Sequence, residues 1–287
     1  MNIFPGIYQL FCSFPKYYKK YVIKKACWLL CYVFFLSPLT ATLFATELPN
    51  IDFTPFFNGF SGAFVFLDLR ADKYIRYGGE RCQEPLSPCS TFKIPNSMVG
   101  LETGVISGPD HLFPWDGIQR SFEIWNRDHT LRSAVKNSVV WYFQRLAQMV
   151  GERRMSQYLR LFSYGNQDIS GGLTVFWLGS SLKISADEQV AFLKKWIQRS
   201  LPVSIKTMDI VDKITCLAKT PEGEFHGKTG SNVKQGKSIL GWFVGYVSSG
   251  ADRYIFALNI VSGNNADGKT AQNITEKILR ALKIPID

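Results

Sequence analysis

Ser90-Thr91-Phe92-Lys93 is the stretch on which the reading of this chain turns. A serine hydroxyl is a poor nucleophile until a neighbouring base takes its proton, and a lysine three residues later on a helix lies one turn away on the same face. Serine and lysine at that spacing begin at five places, the others being Ser13, Ser133, Ser180 and Ser231, whereas about one is expected by chance at average composition. Only Ser90 has the right company. Downstream, in order, stand Ser138-Val139-Val140, Tyr164-Gly165-Asn166 and Lys228-Thr229-Gly230. A Lys-Thr-Gly triplet alone is expected only ~0.07 times in a chain of this length. The conjunction describes a serine acyl-transfer site.

Local pattern gives the frame around those motifs. An apolar face from Ser90 to about Thr103, stopped by Gly104, predicts a helix with Ser90 at its N-terminus, where free backbone N–H groups suit a developing oxyanion. Residues 62–70 and 74–77 read as paired strands. From 130 to 149 an apolar stripe through Leu131, Ala134, Val135, Tyr142, Leu146 and Met149 predicts one helix ending at Gly151. Ser138 interrupts that stripe; its hydroxyl can simply bond back to its own helix, and only the other motifs turn the reading toward chemistry. Ser185 and Glu188 form a capping box for a helix running toward Arg199. Residues 238–247 and 254–261 read as a hairpin joined through 248–252, followed by a helix over 270–282. The expected fold class is α/β of the α+β type, an antiparallel sheet flanked by helices with a mainly helical region beside it.

Composition narrows the function. A chain of 287 residues, 46% hydrophobic, can bury a full core, and no linker divides residues 46–287. The net charge of +10 owes half its size to Lys16, Lys19, Lys20, Lys24 and Lys25, because residues 1–45 hold no acid. Beyond them 28 basic residues face 23 acidic ones, thinly spread. That is a solvated surface rather than a phosphate-binding patch, and no nucleic-acid partner is expected. The lysines lead into an uncharged apolar run from Ala26 and then small residues to Ala45, the series of a secretory signal. The expectation is a signal peptide, or an N-terminal membrane segment if uncleaved, over 1–45, with a catalytic domain over 46–287 that is secreted or periplasmic. Three of six cysteines lie beyond that segment, Cys82, Cys89 and Cys216, and a Cys82–Cys89 disulfide is open in such a compartment. No Cys-x-x-Cys pair exists, and His111, His129 and His226 show no ligand spacing, so no metal is expected.

One motif competes. Residues 263–270, ending in Gly268-Lys269-Thr270, fit the phosphate-loop pattern G-x-x-x-x-G-K-[ST] between an expected strand and helix. Only seventeen residues follow Thr270, too few for a strand carrying an acidic magnesium ligand. A nucleotide-binding protein is therefore the remote alternative.

From about residue 62 to 256 the chain resembles the class D (oxacillinase-type) serine β-lactamases of the penicillin-binding superfamily. The resemblance rests on the four motifs, on Trp125-Asn126-Arg127-Asp128-His129-Thr130-Leu131, on Phe176-Trp177-Leu178 and on Gly241-Trp242-Phe243-Val244-Gly245. The class A pattern has Ser-Asp-Asn as its second element, where this chain has Ser138-Val139-Val140. The resemblance implies that Ser90 attacks the lactam carbonyl while the N–H groups of Ser90 and Ser231 hold the oxyanion. It implies that Lys93, carboxylated on its side-chain nitrogen by carbon dioxide or bicarbonate, is the general base, in a pocket of Val140, Phe143, Trp177 and Leu178. No bound cofactor is implied. Ser138 and Lys228 would relay a proton to the leaving nitrogen, Thr229 and Lys228 would hold the substrate carboxylate, and Trp125 would border the pocket. Tyr164, Asn166 and Gly230 are firmer as motif members than as chemical actors. Family members place an arginine near the start of the last helix, where this chain has Ala271, with Lys269 nearby. The implied partners are small β-lactams, with no protein partner and a monomer or homodimer. The alternative on the same fold is a penicillin-binding sensor or peptidase that deacylates slowly, although no His-Glu-x-x-His of a sensor's protease domain occurs.

Overall fold

The six consecutive buried residues Gly62 to Leu67 show how the sheet is built. Side chains alternate along a strand, so Ala63, Val65 and Leu67 enter one apolar core while Phe64 and Phe66 enter a second on the opposite face. A sheet covered on both faces needs this unbroken apolar run. The computed structural model describes residues 49–262 and 265–287. The signal-like segment and its boundary at residue 45 lie outside the described residues.

In chain order the elements are α1 (Thr54–Phe57), β1 (Ser61–Asp68), β2 (Lys73–Tyr77), α2 (Lys93–Glu102), β3 (Leu112–Phe113), β4 (His129–Thr130), α3 (Leu131–Lys136), α4 (Val140–Val150), α5 (Glu152–Phe162), α6 (Ala186–Ile197), α7 (Ile205–Thr215), β5 (Cys216–Thr220), β6 (Gly223–Lys234), β7 (Lys237–Ser249), β8 (Asp252–Val261) and α8 (Gly268–Ala281). Six strands form one sheet in the order β2-β1-β8-β7-β6-β5, every neighbouring pair antiparallel. One face packs Phe64, Phe256 and Leu258 against Ile274, Ile278 and Leu279 of α8. The other carries Trp242, Val244 and Ala257 beneath the helical region. This is the expected α+β architecture.

The hairpin β7–β8 is tighter than its sequence suggests, because Ser249 pairs with Asp252 and only Gly250 and Ala251 form the turn. The capping box at Ser185 is present and opens α6. The helix expected over 130–149 is two helices. α3 ends in a Schellman closure: the Ser138 N–H donates to the Val135 carbonyl (3.2 Å) and the Val139 N–H to the Ala134 carbonyl (2.9 Å). Ser138 has φ +54°, the left-handed position where glycine is usual. The apolar stripe runs on across the break because Val139 is itself buried.

The phosphate-loop reading fails on topology and on its donors. β8 runs antiparallel to both neighbours, and the start of α8 is already satisfied from within. The Thr270 N–H donates to Asp267 Oδ1 (2.7 Å) and the Gly268 N–H to Ser231 Oγ (2.8 Å). Gly263 and Asn264 lie outside the described residues. The Cys82–Cys89 bridge is likewise corrected: both are free, buried thiols. Cys82 lies 3.2 Å from the Tyr77 carbonyl at the end of β2, whereas Cys89 lies 3.5 Å from the Ser87 carbonyl in the turn before α2.

Candidate active site

A single 3₁₀ turn, Cys89–Phe92, runs directly into α2 and carries the serine. Cys89 enters it at φ +51°. The turn is held from three sides: the Cys89 N–H and Ser87 hydroxyl donate to the Trp177 carbonyl (3.0 and 2.9 Å), the Thr91 hydroxyl donates to the Pro88 carbonyl (2.7 Å), and the Trp242 indole N–H reaches up from β7 to the Ser87 carbonyl (3.0 Å). Ser90 is thus fixed at the mouth of a helix while remaining half-buried.

Lys93 Nζ lies 2.7 Å from Ser90 Oγ. The lysine is only 1% exposed, and its amine sits 5.3 Å from the centre of the Phe143 ring. Burial, reinforced by the nearby charge of Lys228, holds its proton affinity well below the ordinary lysine range. A neutral amine at this distance accepts the hydroxyl proton instead of donating its own. Next to it, Phe92 stacks on Trp177 at 5.4 Å and meets Phe176 and Tyr164 edge-on. Leu178 is partly buried against the same core, and Val140, half-buried, opens α4.

β5 pairs with β6 only as far as His226, so beyond it β6 presents an edge toward the serine turn. Lys228 lies on that edge, buried, its amine donating to the Thr229 carbonyl at 3.0 Å. Burial lowers its pKa to about 8. Gly230 lies against the serine turn, where a Cβ would stand 2.9 Å from the Pro88 carbonyl oxygen and 3.3 Å from the Ser90 nitrogen. Any side chain there would push the edge strand from the nucleophile. The Ser231 hydroxyl is occupied by the start of α8, as above.

Ser138 stands at the α3–α4 break, and among the described residues its hydroxyl makes no hydrogen bond back to its own helix. Trp125 is tied to that break, its indole N–H donating to the Asn137 carbonyl (2.9 Å) and its own carbonyl accepting from the Trp141 indole (2.8 Å). Tyr164 and Asn166 are not in the cleft. The Tyr164 ring is fully buried, and Asn166 clips a surface loop, donating to the Ser181 carbonyl and accepting from the Lys183 N–H, both at 2.9 Å. Gly165 between them has φ +53° and no room for a Cβ, 2.0 Å from the Lys183 carbonyl oxygen.

A cavity of about 440 Å³ opens beside Lys228 and Thr229, lined also by Arg132, Lys136, Lys213 and Gln272. Ala271 is buried in the outer core and Lys269 is exposed, so Gln272 is the α8 residue that lines this cavity. Periodicity on α8, read with Ala271 as core, is the signal that singles it out.

The family model for the penicillin binding protein transpeptidase domain matches residues 62–280. The probable beta-lactamase YbxI of Bacillus subtilis is 40% identical over 224 residues, covering 78% of this chain and 82% of that protein. The solved structure of class D beta-lactamase BAT-2 superposes with a TM-score of 0.79 at 38% identity, over 83% of this chain and 98% of that one. The methicillin resistance mecR1 protein of Staphylococcus aureus is 36% identical over 230 residues, which is 80% of this chain but 39% of that protein.

Proposed function

This chain belongs to the class D β-lactamases, and from that premise we propose that it hydrolyses β-lactams through an acyl-enzyme on Ser90, with Lys93 as the base. The observation that carries the assignment is the buried Lys93 amine 2.7 Å from Ser90 Oγ, its proton affinity lowered by that burial. Ser90 Oγ attacks the lactam carbonyl as its proton passes to the Lys93 side chain. The ring C–N bond breaks, and the proton that the Lys93 side chain took from Ser90 passes through Lys228 and Ser138 to the departing nitrogen, leaving Lys93 free to act as base again. Water then cleaves the ester, its proton going to the Lys93 side chain and the Ser90 hydroxyl being restored. The substrate carboxylate lies against Thr229 and Lys228, with Arg132, Lys136 and Lys213 lending positive potential from the adjoining cavity.

The surroundings of Lys93 suit carboxylation, since only an uncharged amine reacts with carbon dioxide and the walls formed by Phe143 and the Trp177 segment keep water from it. Bound there, carbon dioxide supplies a carboxylate oxygen as the base in place of the amine. The basic, apolar and small-residue series of residues 1–45 supports export. Among the described residues no helix is long and apolar enough to cross a membrane.

Ser90→Ala is expected to abolish hydrolysis of a chromogenic lactam with an unchanged circular dichroism spectrum, and mass spectrometry should place a lactam adduct on Ser90 of the parent enzyme. Full turnover by the variant, or an adduct on another residue, removes the assignment.

A further inference from the structure

Away from the serine, Cys216, Glu224 and His226 bring one donor atom each within 4.8 Å of one another. Cys216 pairs directly with His226 across β5 and β6, and Glu224 lies two residues before His226, so the three side chains share one face of the sheet. Spacing along the chain conceals the group because its members come from two strands.

His226 is 1% exposed and its ring stacks on Tyr246 at 4.3 Å. Its Nδ1 lies 3.1 Å from the Asp212 carbonyl oxygen, which can only accept, so Nδ1 carries the hydrogen. The Tyr246 hydroxyl donates to the Asp212 carboxylate at 2.9 Å, holding the same segment in place. In the neutral ring Nε2 therefore presents a lone pair, and 3.0 Å away it meets Glu224 Oε2, another acceptor. Two acceptors at that distance need a cation between them. An imidazole whose far N–H donates to a backbone carbonyl is also the arrangement that orients metal-bound histidines.

We propose that Cys216, Glu224 and His226 bind a zinc ion where β5 and β6 pair, with water as the fourth ligand. Thiolate, imidazole and carboxylate together fit zinc and not magnesium or calcium, which take oxygen ligands. Bonds of about 2.0–2.3 Å place tetrahedral donors about 3.5 Å apart, inside the 4.8 Å span of the group, with His226 Nε2 and Glu224 Oε2, now 3.0 Å apart, parting slightly to admit the ion. Lys219 pairs with the other oxygen of Glu224, leaving Oε2 for the ion. Binding releases the Cys216 thiol proton to solvent. Thiolate and carboxylate then balance the two positive charges, and nothing is oxidised or reduced. The ion would fasten β5 to β6 two residues before Lys228.

The full chain, stripped with a chelator, is titrated with zinc by calorimetry and with cobalt by absorption spectroscopy. One equivalent should bind at micromolar or lower concentration, with a thiolate-to-cobalt charge-transfer band and a rise in melting temperature. Cys216→Ser should abolish the band, and Glu224→Gln, on the more exposed ligand, should weaken zinc binding at least about tenfold. No saturable binding at micromolar zinc, or binding unchanged in both variants, overturns the site. A proton on His226 Nε2 that persists in nitrogen-15 spectra at saturating zinc also overturns it, since the cation between His226 and Glu224 is then a proton.

Discussion

Lys93 stands where water cannot reach: in solvent a lysine is charged at neutral pH, and here burial, reinforced by the charge of Lys228, weakens that preference. If the amine carries carbon dioxide, activity lost on mild acidification should return fully only when bicarbonate is added, with a carbon-13 carbamate signal after labelling. Recovery with pH alone and no such signal would leave the free amine as the base. The Ser90–Lys93 pair was legible because its geometry needs nothing beyond one helical turn. The left-handed Cys89, whose N–H bonds the distant Trp177 carbonyl, and the contact of Gly230 with the serine turn were not, since both depend on segments far along the chain. Tyr164 and Asn166 were visible as a motif, but their work is structural: a buried ring and a loop clip.

At the scale of elements, the α3–α4 break is the main departure from the sequence pattern. Hydrophobic period reports which side chains are buried, and a Schellman closure that buries Val139 keeps the period intact while turning the chain. Ser138 sits in the left-handed region against the conformational preference of its backbone, and in the proposed mechanism it is the hydroxyl that matters there. Ser138→Gly should therefore retain or slightly raise stability while slowing acylation about 10²–10⁴-fold. Ser138→Ala should slow acylation similarly but keep the left-handed backbone cost that serine already carries, leaving it ~1 kcal/mol less stable than the glycine variant. Single-turnover rates and urea midpoints read the two effects separately; acylation at the parent rate in the glycine variant would make the serine merely structural. Val139→Ala, by contrast, should lower stability, because Val139 is buried and shortening it opens a cavity in the core.

For the whole molecule, the buried Lys228 is a cost that pH can relieve. Its folded pKa is about 8, against about 10.4 for an exposed lysine. Between those values the unfolded chain binds more protons than the native one, so this contribution makes stability rise with pH. Below about pH 8 the side chain is charged in both states and the full burial cost remains. Denaturant titrations across this range should show a steeper rise for the parent than for Lys228→Met, and parallel curves would mean that the lysine is not buried as described. Four of the six strands and the closing hairpin were legible from alternation and turn residues; β5 and β6 were not predicted, and the strand order, with β8 inserted between β1 and β7, was not legible either, because pairing across the length of a chain leaves no local signal. That order also sets a timetable. β1 is made before the other strands of the sheet, and its inner edge, Phe64 to Leu67, finds its partners only in Leu258 to Ile255 of β8, the last strand of the sheet to be made. Contacts so distant in sequence form slowly, and until they do an apolar strand stands with an open edge, exposed to aggregation and to proteases. The amount of enzyme a cell obtains is then a race between closing that edge and losing the chain.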